Sequence, residues 1–93
     1  MKPFKVIYRP FPAECGTVTG AISQRNNRVL ILIDSNRDEQ TQRRTLRHEL
    51  GHLMLGHLDN DVDPVDVLER EADAYADRLT DDELSALLAG GIV

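Results

Sequence analysis

An α+β fold, with a small antiparallel three-stranded sheet followed by three helices, is what this sequence predicts. Three observations carry that expectation. Up to Asp34, short runs rich in β-branched and apolar side chains are separated by proline and asparagine. After Asp34 the apolar period changes from two residues to about 3.6. Two capping patterns then divide the remainder into further helical segments. At 93 residues the chain has the length of one compact domain, read as 1–93.

Residues 4–9 (FKVIYR) alternate weakly and stop at PFP, where two prolines hold the backbone extended or turning. Residues 17–23 (TVTGAIS) and 29–34 (VLILID) are the second and third strands, and the polar QRNNR between them reads as a hairpin turn. Ser35 followed by Asp38 offers a cap for the first helix, which runs through TQRRTLRHELGHLML to Gly56. Glycine there can take the left-handed conformation that ends helices. The second helix begins at DPVD, where Asp63 caps, Pro64 suits the first turn and Asp66 reaches back; it continues through LEREADAYADRL. Thr80 and Glu83 form another capping box before LSALLA, and Gly90-Gly91 closes the third helix.

The net charge of −5 is unevenly spread. Nine basic and four acidic residues lie up to Arg47, whereas from Asp59 to Glu83 eleven acidic residues face only Arg70 and Arg78. That second half repels nucleic acid, and the basic first half lacks clustered aromatics or a Lys/Arg stripe, so direct DNA binding is not expected. Neither a signal-peptide core nor a membrane-length apolar stretch is present, which makes the cytoplasm the default location. Cys15 is the sole cysteine, so no disulfide framework or thiolate metal cage can be built and it reads as a free, inert thiol. Any zinc site must use histidine and carboxylate ligands.

All three histidines fall in RHELGHLMLGH. On a helical wheel of about 100° per residue with His48 at zero, His52 falls near 40°, Thr45 near 60° and Glu49 near 100°. Leu46, Leu50, Leu53 and Met54 occupy roughly 140–240°, so the core stripe faces the other way. Residues 48–52 thus match H-E-x-x-H: two neutral imidazoles one turn apart bind zinc, and Glu49 sits beside the ion as general base and acid. Zinc lowers the pKa of bound water to about 7, which suits attack on a peptide carbonyl.

Two options compete for a third protein ligand. His57 is one by residue type, but in H-E-x-x-H-x-x-G-x-x-H the glycine and last histidine would fall at Leu55 and Leu58. Gly56 and His57 are each out of step by one, so His57 reads as a helix-end residue that satisfies terminal carbonyls or is favoured by the dipole. The other option is Glu69, which shares a helix face with Ala72, Asp73 and Ala76; the small alanines permit close approach to the first helix. Asp73, one turn on, can accept from the outer nitrogen of a ligating histidine. Glu71 points elsewhere, with Tyr75 and Arg78, as a surface or ion-pair residue.

HELGHLMLGH followed by EREADAYA resembles the ImmA/IrrE family of metallopeptidases, which carry H-E-L-G-H, often L-L-G-H after it, and later E-x-E-A-[DN]-x-F-A. Tyr75 stands where that last motif more usually has phenylalanine. The resemblance covers roughly residues 28–79. It implies a minimal zincin-like domain with a gluzincin-like zinc site: His48 and His52 as ligands, Glu49 as acid/base, and a glutamate of the second motif as third ligand. Glu69 is preferred to Glu71 because its spacing to Asp73 resembles thermolysin-like enzymes. The resemblance further implies a cytoplasmic bacterial or phage protein that cleaves a helix-turn-helix, DNA-binding repressor. A substrate strand laid along residues 29–34 is the corresponding binding mode. Larger relatives in that family carry extra N-terminal helices or a DNA-binding or sensor domain, for which this chain has no room.

A non-catalytic, zinc-stabilised module that sequesters a repressor or toxin is the rival reading. An intact Glu49 beside the first ligand favours the enzyme, since a purely structural site needs no such carboxylate. A SprT-like protease acting near DNA fits less well, given the acidic second half and the lack of a cysteine zinc ribbon.

Overall fold

The computed structural model describes residues 2–91. Strand β1 (Phe4–Arg9) leads through a 3-10 turn at Ala13–Cys15 to β2 (Gly20–Arg25) and β3 (Arg28–Asp34). Helices α1 (Glu39–Met54), α2 (Val65–Arg78) and α3 (Asp81–Gly91) follow, with a second 3-10 turn at His57–Asp59. No described helix is long and apolar enough to cross a membrane.

The α+β class and the order of strands before helices agree with the sequence, but the sheet is mixed rather than antiparallel. Its spatial order is β1-β3-β2, with β1 parallel and β2 antiparallel to β3. The physical reason is the path after PFP: the chain crosses the end of β3 and enters β2 on its far side. The Asp34 carboxylate at that end accepts from the Phe11 amide, the Asn36 amide and Arg37 Nε, each at 3.0 Å. Foremost the Phe11 amide, and with it Asn36 and Arg37, holds this carboxyl below its ordinary pKa. A strand paired on both sides and covered on one face is the setting for a run such as VLILID, which hardly alternates.

The hairpin turn is tighter than QRNNR. Only Asn26 and Asn27 leave the ladder, with φ of 53° and 64°, the paired left-handed conformation of a two-residue type I′ loop. Asparagine tolerates that region better than most side chains, which is why two of them sit here. The second strand accordingly starts later than 17 and runs through Arg25.

Alternation places Phe4, Val29, Ile31 and Ile33 on the helix-facing side of the sheet, where they meet Leu46, Leu50 and Leu53 of α1. Leu50 is wholly enclosed, which is worth about 1.5–3 kcal/mol for such a side chain. Asp38 caps α1, its side chain accepting from the Thr41 amide at 3.2 Å. Gly56, at φ 73°, ends that helical stretch in the left-handed region.

The start of α2 departs from expectation. Asp63 makes no cap; its carboxylate accepts instead from Asn60 Nδ2 at 2.9 Å, while Asn60 Oδ1 takes the Val62 and Asp63 amides. This local asparagine turn captures the residue, and the helix begins directly after Pro64. The Thr80/Glu83 box forms as expected, with the Thr80 amide donating to Glu83 and the Glu83 amide to Thr80 Oγ1, both at 3.1 Å. Among the described residues α3 runs to Gly91, within the glycine pair expected to close it.

Candidate metal centre

Two helices build the site, and a glycine sets their separation. A Cβ added at Gly51 would lie 3.0 Å from the Ala72 carbonyl oxygen and 3.1 Å from Ala72 Cα, so α1 and α2 meet backbone to backbone. At that spacing side chains one turn apart on α1 reach side chains one turn apart on α2. His48 and His52 project from α1 toward Glu69 and Asp73 of α2.

His48 Nε2 lies 2.8 Å from Glu69 Oε2, His52 Nε2 lies 3.2 Å from Glu69 Oε1, and the two Nε2 atoms are 3.1 Å apart. One donor atom from each of His48, His52 and Glu69 falls within 4.8 Å of the others. On its other nitrogen, His48 Nδ1 is 2.7 Å from Asp73 Oδ1. Sequence reasoning singled out these four residues, and the structure brings all four together.

Proton positions follow from the partners. His48 has a carboxylate at each ring nitrogen, Asp73 at Nδ1 and Glu69 at Nε2, so a cation taking the Nε2 lone pair would leave its proton on Nδ1, donating to Asp73. Burial, the largest influence, lowers the His52 pKa and keeps that imidazole neutral as well. Lone pairs facing one point repel unless a cation or proton lies between them. Zinc sits about 2.0–2.1 Å from imidazole nitrogen, so tetrahedral donors are about 3.3 Å apart. The observed separations of 2.8–3.2 Å lie within half an ångström of that spacing, and the donor set of two imidazoles and one carboxylate fits such an ion.

Glu49 lies beside this cluster and is 8% exposed. The start of β2 covers it: Gly20 approaches Thr45 and Glu49 so closely that a Cβ there would collide with the Thr45 methyl. Thr45 Oγ1 also donates to Thr19 Oγ1 at 2.8 Å, tying the strand's entry to the helix. Burial is the chief cause that pushes the Glu49 pKa up to about 7; the nearby His48 opposes the rise and Glu69 adds to it. An open cleft of about 390 Å³ runs past it, walled by residues 17–20 on one side and by Arg44, His48 and Asp73 on the other.

Two expectations about the surroundings change. Residues 29–34 form the central strand and have no free edge, so a substrate strand cannot pair there; the outer edge of β2 borders the cleft and pairs with no strand among the described residues. His57 does not serve the end of α1, whose last turns are closed by the amides of Leu55 to Gly51 and Gly56 to Leu53. It is buried, with Nδ1 2.9 Å from His52 Nδ1 and Nε2 2.9 Å from Glu71 Oε1. The contact of Glu71 with His57 was not legible from helical periodicity, which ends at Gly56. The only sequence signal was a histidine directly after that helix-ending glycine. Arg47, which flanks the motif, is committed to the Leu79 carbonyl and the Asp81 carboxylate.

The sequence model of one protein family, Peptidase_M78, described as the IrrE N-terminal-like domain, matches residues 2–86. No curated protein and no solved structure matches significantly.

Proposed function

This chain belongs to the IrrE N-terminal-like family of peptidases, and on that premise we propose that it is a zinc-dependent endopeptidase that hydrolyses a peptide bond in a regulatory protein. The observation that carries the reading is the convergence of His48, His52 and Glu69 beside a buried Glu49. A helix-turn-helix repressor is the substrate class that the family resemblance supplies. The cytoplasm is the corresponding location.

In this reading His48, His52 and Glu69 hold the ion, and Asp73 fixes the His48 ring by accepting from its Nδ1 proton. A zinc ion so held supplies Lewis acidity to the scissile carbonyl and acidifies water. Glu49 takes the proton of the attacking water and returns it to the leaving amine. A carboxyl whose proton affinity is raised toward neutrality suits both transfers, because an ordinary carboxylate is too weak a base for the first. The peptide lies in the cleft and adds as a strand to the outer edge of β2, whose free backbone groups provide sequence-independent affinity.

The test is zinc content and cleavage, measured on wild type, Glu49→Gln and Glu69→Gln co-expressed with repressors encoded nearby. Glu49→Gln should retain zinc and lose cleavage by at least about 100-fold, the usual contribution of a general acid–base group. Glu69→Gln should lose both. Unchanged zinc affinity in Glu69→Gln removes it as a ligand, and zinc retention without cleavage in any form makes the chain a zinc-stabilised binding module.

A further inference from the structure

Asp73 meets the outer nitrogen of one imidazole of the cluster directly, and among the described residues no carboxylate meets the outer nitrogen of the other. The outer nitrogen of His52 meets instead the buried ring of His57, which in turn meets Glu71. We propose that His57 and Glu71 are positioning residues of the metal centre: a His52–His57–Glu71 relay that holds the His52 proton on Nδ1 and directs its Nε2 lone pair at the ion. The proposal rests on the metal-centre reading above.

With a cation at His52 Nε2, which otherwise faces Glu69 Oε1 at 3.2 Å, the relay allows one arrangement of protons. Glu71 as a carboxylate accepts, so the neutral His57 ring donates from Nε2 at 2.9 Å and its Nδ1 is left as an acceptor. The atom facing that acceptor, 2.9 Å away, is His52 Nδ1, which must therefore be the donor. With the proton on His52 Nε2 instead, two lone pairs would face each other at the same distance inside the protein. Glu71 thus acts on His52 through an intervening ring as Asp73 acts on His48 by contact. Both anchors and the carboxylate donor come from α2.

Chain geometry explains why His57 can do this. Continued as α-helix, a residue five positions after His52 would lie about 140° round the axis from it and face away. Gly56 at φ 73° breaks the helix at that point and turns the chain back, so the two rings meet with centroids 5.1 Å apart. Glu71 lies two residues and so about 200° round α2 from Glu69, and its carboxylate is 2.9 Å from His57 Nε2 in the returning 3-10 turn.

Competition of the full chain against a chromophoric zinc chelator tests the relay, with Glu71→Ala, Glu71→Gln and His57→Phe beside wild type. Loss of such an outer partner typically weakens metal affinity by about 10–100-fold. Glu71→Ala should show that loss, Glu71→Gln less of it because an acceptor oxygen remains, and a variant combining Glu71→Ala with His57→Phe no more than His57→Phe alone. Wild-type affinity in Glu71→Ala overturns the proposal. Should His57→Phe fail to fold, Glu71→Ala still decides, since the Glu71 side chain is half exposed. Long-range proton–nitrogen spectra of the metal-free protein at pH 8 give a second readout: a His52 proton on Nδ1 supports the relay, and one on Nε2 overturns it. A wild type that takes no zinc sinks the metal-centre reading, while those spectra still judge the relay separately.

Discussion

Replacing Glu49 by glutamine should stabilise the metal-free protein while abolishing its proposed activity. Burial raises the carboxyl from 4.5 to about 7, so the folded protein binds that proton more tightly than the unfolded chain. The sign follows directly. Below pH 4.5 both states are protonated and Glu49 costs nothing; from 4.5 to 7 the unfolded chain alone prefers to ionise; above 7 the folded state carries the full burden of a buried charge. Each tenfold difference in proton affinity is about 1.4 kcal/mol, which makes the burden about 3 kcal/mol at pH 8. Glutamine keeps the shape without the charge. Urea unfolding of chelator-treated wild type and Glu49→Gln at pH 5 and pH 8 should show a gain for the variant of about 1 kcal/mol at the lower pH and about 3 kcal/mol at the higher. Bound zinc neutralises the carboxylate's surroundings and should shrink the gain. A difference that does not change between the two pH values would refute the argument that Glu49 is a desolvated acid.

Gly51→Ala places a methyl 3.0 Å from the Ala72 carbonyl, where the obstacle is backbone and cannot rotate away. Overpacking of about 1–3 kcal/mol outweighs the helix-propensity gain of about 1 kcal/mol, so thermal unfolding should shift down by several degrees and zinc affinity should fall with it; a more stable variant with unchanged affinity refutes the tight crossing. Thr80→Ala removes half of the reciprocal cap on α3 and should lower stability by about 1 kcal/mol in urea, with zinc affinity unaltered because α3 supplies no group to the cluster. No change in the urea midpoint would refute the cap's contribution.

Local signals carried the sequence reading furthest. The Thr80/Glu83 box, the Asp38 cap and the left-handed glycine at 56 each act over a few residues, and each is seen. Helical periodicity also brought His48, His52, Glu69 and Asp73 into one group, since i and i+4 positions on two facing helices can meet only where their small residues allow. Long-range arrangement was less legible. Parallel pairing of β1 with β3 depends on a crossing held by Asp34, and no periodicity encodes it. Asp63 was outcompeted by Asn60, a rivalry between neighbouring turn residues whose outcome depends on backbone angles. His57 escaped because the wheel that describes α1 has no meaning beyond the residue that ends it.

The pairing of Phe4 with Val29 and of Arg9 with Asp34 also sets the order of assembly. The β2–β3 hairpin and the helices close over short sequence separations, on microsecond timescales. Strand β1 is made first and must wait for a partner 25 positions later, about 1–5 s at common rates of synthesis. During that interval Phe4, Val6 and Ile7 have neither ladder nor core to enter. Of the three strands the first to be synthesised can therefore dock only once the third is made, and the growing chain is most open to chaperones and to aggregation before the core that includes Phe4 has formed.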